Sequence, residues 1–331
     1  LDRPHDGRRG IKESRNRGTK GSPPEPWNLG TLEPFEETLE DCFPASDRTL
    51  INKASRYALF PGGKRIRPLL CVAAYRACGG RRDSEVMPFA CAIELIHSFS
   101  LIQDDLPCMD NDRERRGKPT LHIVFGEALA LLAADALFAR AFELCTRSTA
   151  PATRIVAATR ELARVAGKEG IVTGQVQDLG LGEKGTREPG NQGTRGSPLE
   201  SLNPRPLEFS PRALSARFVS GTHRLKTASL IGASLKIGAT IAGAKPRTVG
   251  AMYQAGIDLG MLFQLTDDLL DAKQETTGTS SVKVLGRRET TRDAGRYLKR
   301  FERAIAGCGR QLKPTCVAAL LATGRRVFNR A

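Results

Sequence analysis

Six aspartates stand at the ends of two long apolar stretches, where a folded chain can least easily keep them. The first stretch, Pro88–Ile102, delivers Asp104 and Asp105 and, beyond Pro107, Asp110. The second, Pro246–Ala272, carries Asp267, Asp268 and Asp271 near its end. Acids bunched in this way repel one another and are costly to desolvate, so a fold retains them only with cations between them. The architecture is therefore constrained to bring two distant apolar segments to one polar space.

The periodicity around both clusters is helical. Residues 35–59 place apolar side chains at three- and four-residue spacing and stop at Phe-Pro-Gly-Gly. Further helices are predicted over Pro68–Cys78, Pro88–Ile102, Ala128–Thr146, Ala152–Val165, Ile171–Leu181, Arg224–Ala242, Pro246–Ala272, Arg288–Ala306 and Pro314–Asn329. Several open on proline, which the first turn of a helix accepts. No alternating strand run with hairpin punctuation is evident. The expectation is an all-α bundle of long helices around a central cavity.

Composition bounds the rest. Residues 1–31 hold almost no aliphatic pattern and many Gly, Pro, Arg and Lys, and read as a disordered basic tail. Residues 183–212 are of the same kind, and Asn191-Gln-Gly-Thr-Arg-Gly-Ser-Pro198 echoes Asn16-Arg-Gly-Thr-Lys-Gly-Ser-Pro23. One short echo is not a solenoid, so this segment reads as a low-complexity insertion within a single domain, 32–331. The net charge of +15 suits nucleic acid, a membrane surface or a phosphorylated small molecule. With 5% aromatic residues and no Lys/Arg block, nucleic-acid binding is not expected. The 8 cysteines form no CxxC pair and no zinc-like spacing with the histidines, which points to a reducing cytoplasm. No apolar run approaches the roughly 18 residues needed to cross a bilayer. The Arg-rich start mildly resembles a transit peptide, but Asp2, Asp6, Glu13 and Glu25 oppose that reading. A cytoplasmic location is expected, with a plastid as the alternative.

The acids suit a hard cation such as Mg²⁺, which takes a few carboxylates together with waters and phosphate oxygens. On an unbroken helix, Asp104 and Asp110 would point about 240° apart. Pro107 removes a backbone donor and loosens the turn, allowing Asp110 to swing back. Asp267 and Asp271 share one helical face. One such cluster alone reads as a solvated helix end; two read as a clamp on a diphosphate bridged by several Mg²⁺ ions. Gly62–Arg67 offers a flexible turn with the cations Lys64, Arg65 and Arg67, suited to a second phosphate group or, on its own, to plain solvation. Arg115 and Arg116 stand beside the first cluster. His97 precedes Asp104 by two turns on an apolar face, where a satisfied core histidine is the commoner role.

Together these residues carry a resemblance. GGKRIRP, IELIHSFSLIQDDLPCMDND, RRGKPT, GQVQD, HRLKT and FQLTDDLLD, in this order, resemble the motifs of the trans-prenyltransferases, the short-chain isoprenyl diphosphate synthases. The likeness covers about residues 40–182 and 213–331. It implies the isoprenoid-synthase helical bundle and Mg²⁺-dependent condensation of isopentenyl diphosphate with dimethylallyl or geranyl diphosphate. Three Mg²⁺ ions are implied, held by Asp104, Asp110 and Asp267, with Asp105, Asp268 and Asp271 in support. Lys64, Arg67, His97 and Arg116 match ligands of isopentenyl diphosphate. Arg115, Lys226, Thr227 and Gln264 match ligands of the allylic diphosphate, and Gln175 and Asp178 match a helix facing the same cavity. Pyrophosphate would leave, isopentenyl diphosphate would attack the allylic cation, and loss of a proton would complete the bond. Phe99, five residues before the first aspartate, matches a position in the floor of the elongation cavity. An aromatic floor favours farnesyl over geranylgeranyl diphosphate. A homodimer is the implied assembly.

The chain departs from that pattern in places. Gln103 stands where relatives usually carry His, and Arg113 where many carry an acid. After Asp271 relatives have a lysine-bearing loop of the GKxxGKD kind, whereas this chain runs from Lys273 to Lys283 without most of it. Either lysine is left to substitute, and impaired catalysis is expected. Three alternatives stay open: a geranylgeranyl diphosphate synthase, an impaired member acting as a non-catalytic dimer partner, and a terpene cyclase or head-to-head condensing enzyme. Gly62–Arg67 and His97 argue against the last.

Overall fold

Helices supply nearly all regular structure in the computed structural model, which describes residues 32–60, 62–180, 216–272, 280–308 and 312–330. The low-complexity segments expected at 1–31 and 183–212 lie outside the described residues. The expected single helix over 35–59 is two, α1 (Leu32–Cys42) and α2 (Leu50–Leu59). Pro44 disfavours helical backbone at Phe43. The side chain of Thr49 then caps α2 by accepting from the Asn52 amide at 3.3 Å.

Next come α3 (Ile66–Ala77) and α4 (Asp83–Asp105), then α5 (Leu121–Phe125), α6 (Glu127–Thr146), α7 (Ala152–Ala166) and α8 (Ile171–Asp178). Beyond the gap, α9 (Ala216–His223) runs through a π-helical turn, Arg224–Ala228, into α10 (Ser229–Ala242). The chain closes with α11 (Pro246–Asp271), α12 (Ser281–Leu285), α13 (Arg287–Gly307) and α14 (Pro314–Phe328). Between α4 and α5 lies a small hairpin that alternation could not reveal, β1 (Glu114–Arg115) antiparallel to β2 (Lys118–Pro119). Arg116 (φ 56°) and Gly117 (φ 74°) form its turn, the left-handed pair that a tight two-residue hairpin requires.

The helix α4 is apolar on almost every side, and a helix of that kind has to be buried. It packs against α6, α3, α10 and α1. One 18-residue window of it reaches a mean hydropathy of 1.4, long and apolar enough to cross a membrane by length and composition. This corrects the expectation that no run approaches that length; 78% of the window is buried inside the bundle. A second apolar cluster joins α3, α10, α11, α13 and α14, so α3 and α10 are shared between both halves of the core.

Helices meet most closely at glycines. A Cβ added at Gly238 on α10 would lie 2.1 Å from the Cys71 carbonyl of α3, and one at Gly256 on α11 would lie 2.6 Å from Gly232 Cα of α10. Backbone on both sides leaves no flexible group to yield. Gly238→Ala should therefore destabilise the fold by about 1–3 kcal/mol, as overpacking does. A urea melt tests this, and an unchanged midpoint would contradict the packing described.

Candidate active site

The first acid cluster forms where α4 ends. Leu106 leaves the helix in extended backbone, and the chain doubles back so that the Asp110 amide donates to the Asp104 carbonyl at 2.9 Å. Asp110 thus returns to Asp104, as the proline-loosened spacer predicts. Lys226 lies 3.4 Å from Asp104 and 2.6 Å from Asp178 of α8. The Asp104 carboxyl is pushed up to about 6, chiefly by burial, with Lys226 opposing and Asp110 adding to the rise. Burial also raises Asp110 and Asp105. Asp105 accepts from Arg115 Nε at 2.6 Å, and Arg115 also reaches Asp112 at 3.0 Å.

A continuous helix was expected around Lys226, and the structure has the π turn instead. Such bulges widen the coil and redirect side chains, frequently at functional sites. Gly174 on α8 packs against this turn, where an added Cβ would lie 2.4 Å from the Lys226 backbone nitrogen. Thr227 lies in the same turn and is half-buried. Both amide atoms of Gln175 are buried without a hydrogen-bond partner among the described residues.

The second cluster closes α11. Asp267 lies 3.0 Å from Arg330, whose guanidinium sits 5.1 Å from the Phe263 ring centroid. Its carboxyl is likewise pushed up to about 6, mainly by burial, with Arg330 and Lys64 opposing and Asp271 and Asp268 adding. Arg330 was not anticipated from sequence, since only the tertiary fold brings the last turn to this site. Asp268 turns elsewhere. It accepts from the Ser281 amide at 2.7 Å, lies 3.9 Å from His223 Nε2, and accepts from Gln264 at 3.5 Å. It anchors α12, while its charge still acts on Asp267. Asp271 is exposed. Lys283 lies on α12, and Lys273 falls outside the described residues.

A cavity of about 480 Å³ opens beside the Gly62–Arg67 turn, lined among others by Lys64, Arg67, His97, Arg116 and Phe263. Arg67 Nη1 lies 3.2 Å from His97 Nε2, while its buried Nε has no partner among the described residues. Burial lowers Arg67 to about 10, partly offset by Glu94 and Asp267. His97 is held well below its ordinary range by burial and then by Arg67, leaving a neutral ring. Arg65 corrects the reading of three phosphate-facing cations: it is buried and paired with Glu94 at 2.7 Å and Glu36 at 2.8 Å. Phe99 is buried against Phe138, ring centroids 4.9 Å apart, and Phe138 against Phe142 at 5.1 Å. The two α6 aromatics were hidden in an Ala/Leu-rich run.

Among the described residues no three His, Cys, Asp or Glu side chains converge as a ready-made metal centre. Each cluster offers oxygen donors alone, crowded and raised by burial, with a lysine or arginine beside it. That donor set fits Mg²⁺, which draws much of its shell from waters and substrate phosphates.

The raised Asp267 predicts a pH signature. Its folded value lies above the unfolded one, so its ionised form destabilises the metal-free fold above about pH 6, and the penalty fades as pH falls through that value. Asp267→Asn should melt at a higher temperature than the parent at about pH 7.5 without metal, with the advantage lost by about pH 4. A melting scan showing no advantage at the higher pH would contradict this.

The polyprenyl synthetase family model matches residues 48–283. The chain is 40% identical over 255 residues to the chloroplastic heterodimeric geranylgeranyl pyrophosphate synthase large subunit 1 of Arabidopsis thaliana, covering 76% of this chain and 60% of that protein. It is 39% identical over 260 residues to geranylgeranyl diphosphate synthase of Cyanophora paradoxa, covering 77% of each. The chain thus spans about 60% of the Arabidopsis relative's length. Among solved structures, a geranyltransferase of Helicobacter pylori superposes with a TM-score of 0.76 at 28% identity, covering 94% of this chain and 100% of that one. An FPP/GFPP synthase of Zymomonas mobilis superposes at 0.73 with 29% identity, covering 92% and 99%.

Proposed function

Because the chain belongs to the polyprenyl synthetase family, we propose that it is a trans-prenyltransferase joining isopentenyl diphosphate to an allylic diphosphate. The observations that carry this reading are a cavity lined by Lys64, Arg67, His97 and Arg116, and two buried carboxylate clusters that each have a cation beside them. Lys226 lies 3.4 Å from Asp104, Arg330 lies 3.0 Å from Asp267, and Arg67 lies 3.2 Å from His97.

Asp104 and Asp110 on one side, and Asp267 and Asp271 on the other, are the residues that would hold Mg²⁺. Bound there, the metal supplies concentrated positive charge to a departing diphosphate. Lys226 and Arg115 bind the oxygens of the allylic diphosphate and take up charge as its C–O bond breaks. Thr227 and Gln264 donate to the same group. Lys64, Arg67 and Arg116, with neutral His97, hold the second diphosphate. The unpartnered Nε of Arg67 is already desolvated and fixed, so little reorganisation is needed when an anion arrives. Arg67 donates to His97 Nε2, which leaves the ring proton on Nδ1. The isopentenyl double bond attacks the allylic carbon, the electron pair of the broken bond stays on pyrophosphate, and a proton leaves to that pyrophosphate.

The expectation of farnesyl diphosphate gives way to geranylgeranyl diphosphate as the main reading, because the Arabidopsis and Cyanophora relatives are named for the longer product. The Phe99–Phe138–Phe142 stack supports the shorter product as a second reading, since an aromatic wall limits the hydrocarbon that fits. For assembly, Leu131 and Leu132 of α6 and Val156 of α7 are exposed. Apolar surface of this kind supports a dimer, with a second copy or, as the name of the Arabidopsis large subunit suggests, with a different chain. The chloroplastic relatives support the plastid over the cytoplasm. A non-catalytic dimer partner remains the reading that the short segment after Asp271 favours.

Product analysis with isopentenyl diphosphate and C5, C10 and C15 allylic partners tests these readings. Magnesium-dependent incorporation to C20 is expected, with Phe99→Ala shifting the distribution towards longer chains. A C15 product that lengthens in Phe99→Ala selects the second reading. Absence of incorporation with every partner contradicts the enzyme.

A further inference from the structure

An acid lines the cavity assigned to the second diphosphate. Glu94 on α4 is 3% exposed and borders the same space as Lys64, Arg67 and Arg116. Its negative charge acts on Arg67 and Arg116 and works against an incoming anion. Electrostatics alone would favour a neutral residue there.

The geometry around Arg65 accounts for its presence. Arg65 takes left-handed backbone, φ 50°, immediately before α3. Its guanidinium pairs with Glu94 at 2.7 Å and Glu36 of α1 at 2.8 Å, and donates to the Leu59 carbonyl of α2 at 2.8 Å. It lies so close over the Gly62 backbone that an added Cβ there would be 1.8 Å from Arg65 Cζ. One side chain therefore ties the Gly62–Arg67 turn to α1, α2 and α4. It also occupies both nearby acids. Lys64, Arg67 and Arg116 form no ion pair with a described residue, and Arg67 keeps an unpartnered buried nitrogen.

We infer that Glu94 is a positioning residue: with Glu36 it anchors Arg65, and that anchor holds Lys64 and Arg67 as unpaired cations facing the second diphosphate. The inference deepens the proposed function and rests on it for the identity of the substrate. Its sign sets it apart from simple electrostatics. If Glu94 acted only through its charge, Glu94→Gln would strengthen anion binding. If it positions the turn, the same change weakens binding, because half of a buried ion pair is left without its partner.

The test uses the full chain with inorganic pyrophosphate in EDTA, where the acid clusters cannot recruit metal, followed by titration calorimetry. Glu94→Gln should weaken pyrophosphate binding about 10-fold or more. Glu36→Gln, at the outer end of the triad, should weaken it about 3-fold. In turnover, the isopentenyl KM should rise in parallel while the allylic KM and kcat change less than about 2-fold, a split that general destabilisation would not produce. Unchanged or tighter pyrophosphate binding in folded Glu94→Gln overturns the inference, as does a parallel rise in both KM values. Failure of the wild-type chain to bind pyrophosphate overturns it too. If circular dichroism shows Glu94→Gln unfolded, Glu36→Gln decides, and unchanged binding there overturns the inference. A wild-type chain that binds pyrophosphate but does not turn over removes the enzymatic reading and leaves the positioning role standing.

Discussion

Like charges kept out of water are the constraint on which this structure depends. Asp104 and Asp267 are each raised to about 6, mainly by burial, and in each case a neighbouring acid adds to the rise. Neither is left alone: Lys226 reaches one and Arg330 the other. Both cations come from segments far away in sequence, so the bundle must close before the acids are tolerable. The glycine contacts follow from the same need. At Gly174 of α8 the backbone of the π turn that carries Lys226 comes so close that an added Cβ would lie 2.4 Å from the Lys226 nitrogen. The site and the packing are one arrangement.

This balance gives the cations two uses. Without metal they compensate the carboxylates; in the proposed function the same cations would turn to phosphate oxygens once metal and diphosphate were bound. Such exchange requires side chains that reach both positions, and Lys226, shared between Asp104 and Asp178, is already not bound to a single partner. Arg65 is the opposite kind of cation. It is enclosed by Glu36, Glu94 and the Leu59 carbonyl, and its work is to hold its neighbours in place.

Much of this was legible in the residues, and the remainder has physical reasons for being hidden. Helices with a strong apolar pattern, such as α4 and α11, and the acids at their ends follow from periodicity and from the difficulty of burying charge. Asp110 returning to Asp104 follows from Pro107. Local pattern gave no means to separate Arg65 from Arg67, since both are arginines in one short turn; their roles differ only through Glu36 and Glu94, which tertiary contact supplies. At Pro44 the residues themselves carry a break signal, since proline disfavours helical backbone just before it. The π turn at Lys226, the diversion of Asp268 to Ser281, the arrival of Arg330 and the wall of Phe138 and Phe142 all depend on contacts that spacing does not encode.

In the proposed function, Asp104 and Asp267 act on one bound metal–diphosphate group. A double-mutant cycle measures that directly: magnesium-dependent pyrophosphate affinity of the parent, Asp104→Asn, Asp267→Asn and the pair. A shared site predicts strong non-additivity, with either substitution removing most of the magnesium-dependent binding and the second adding little. Additive losses, or magnesium-dependent affinity that survives both substitutions, would contradict it.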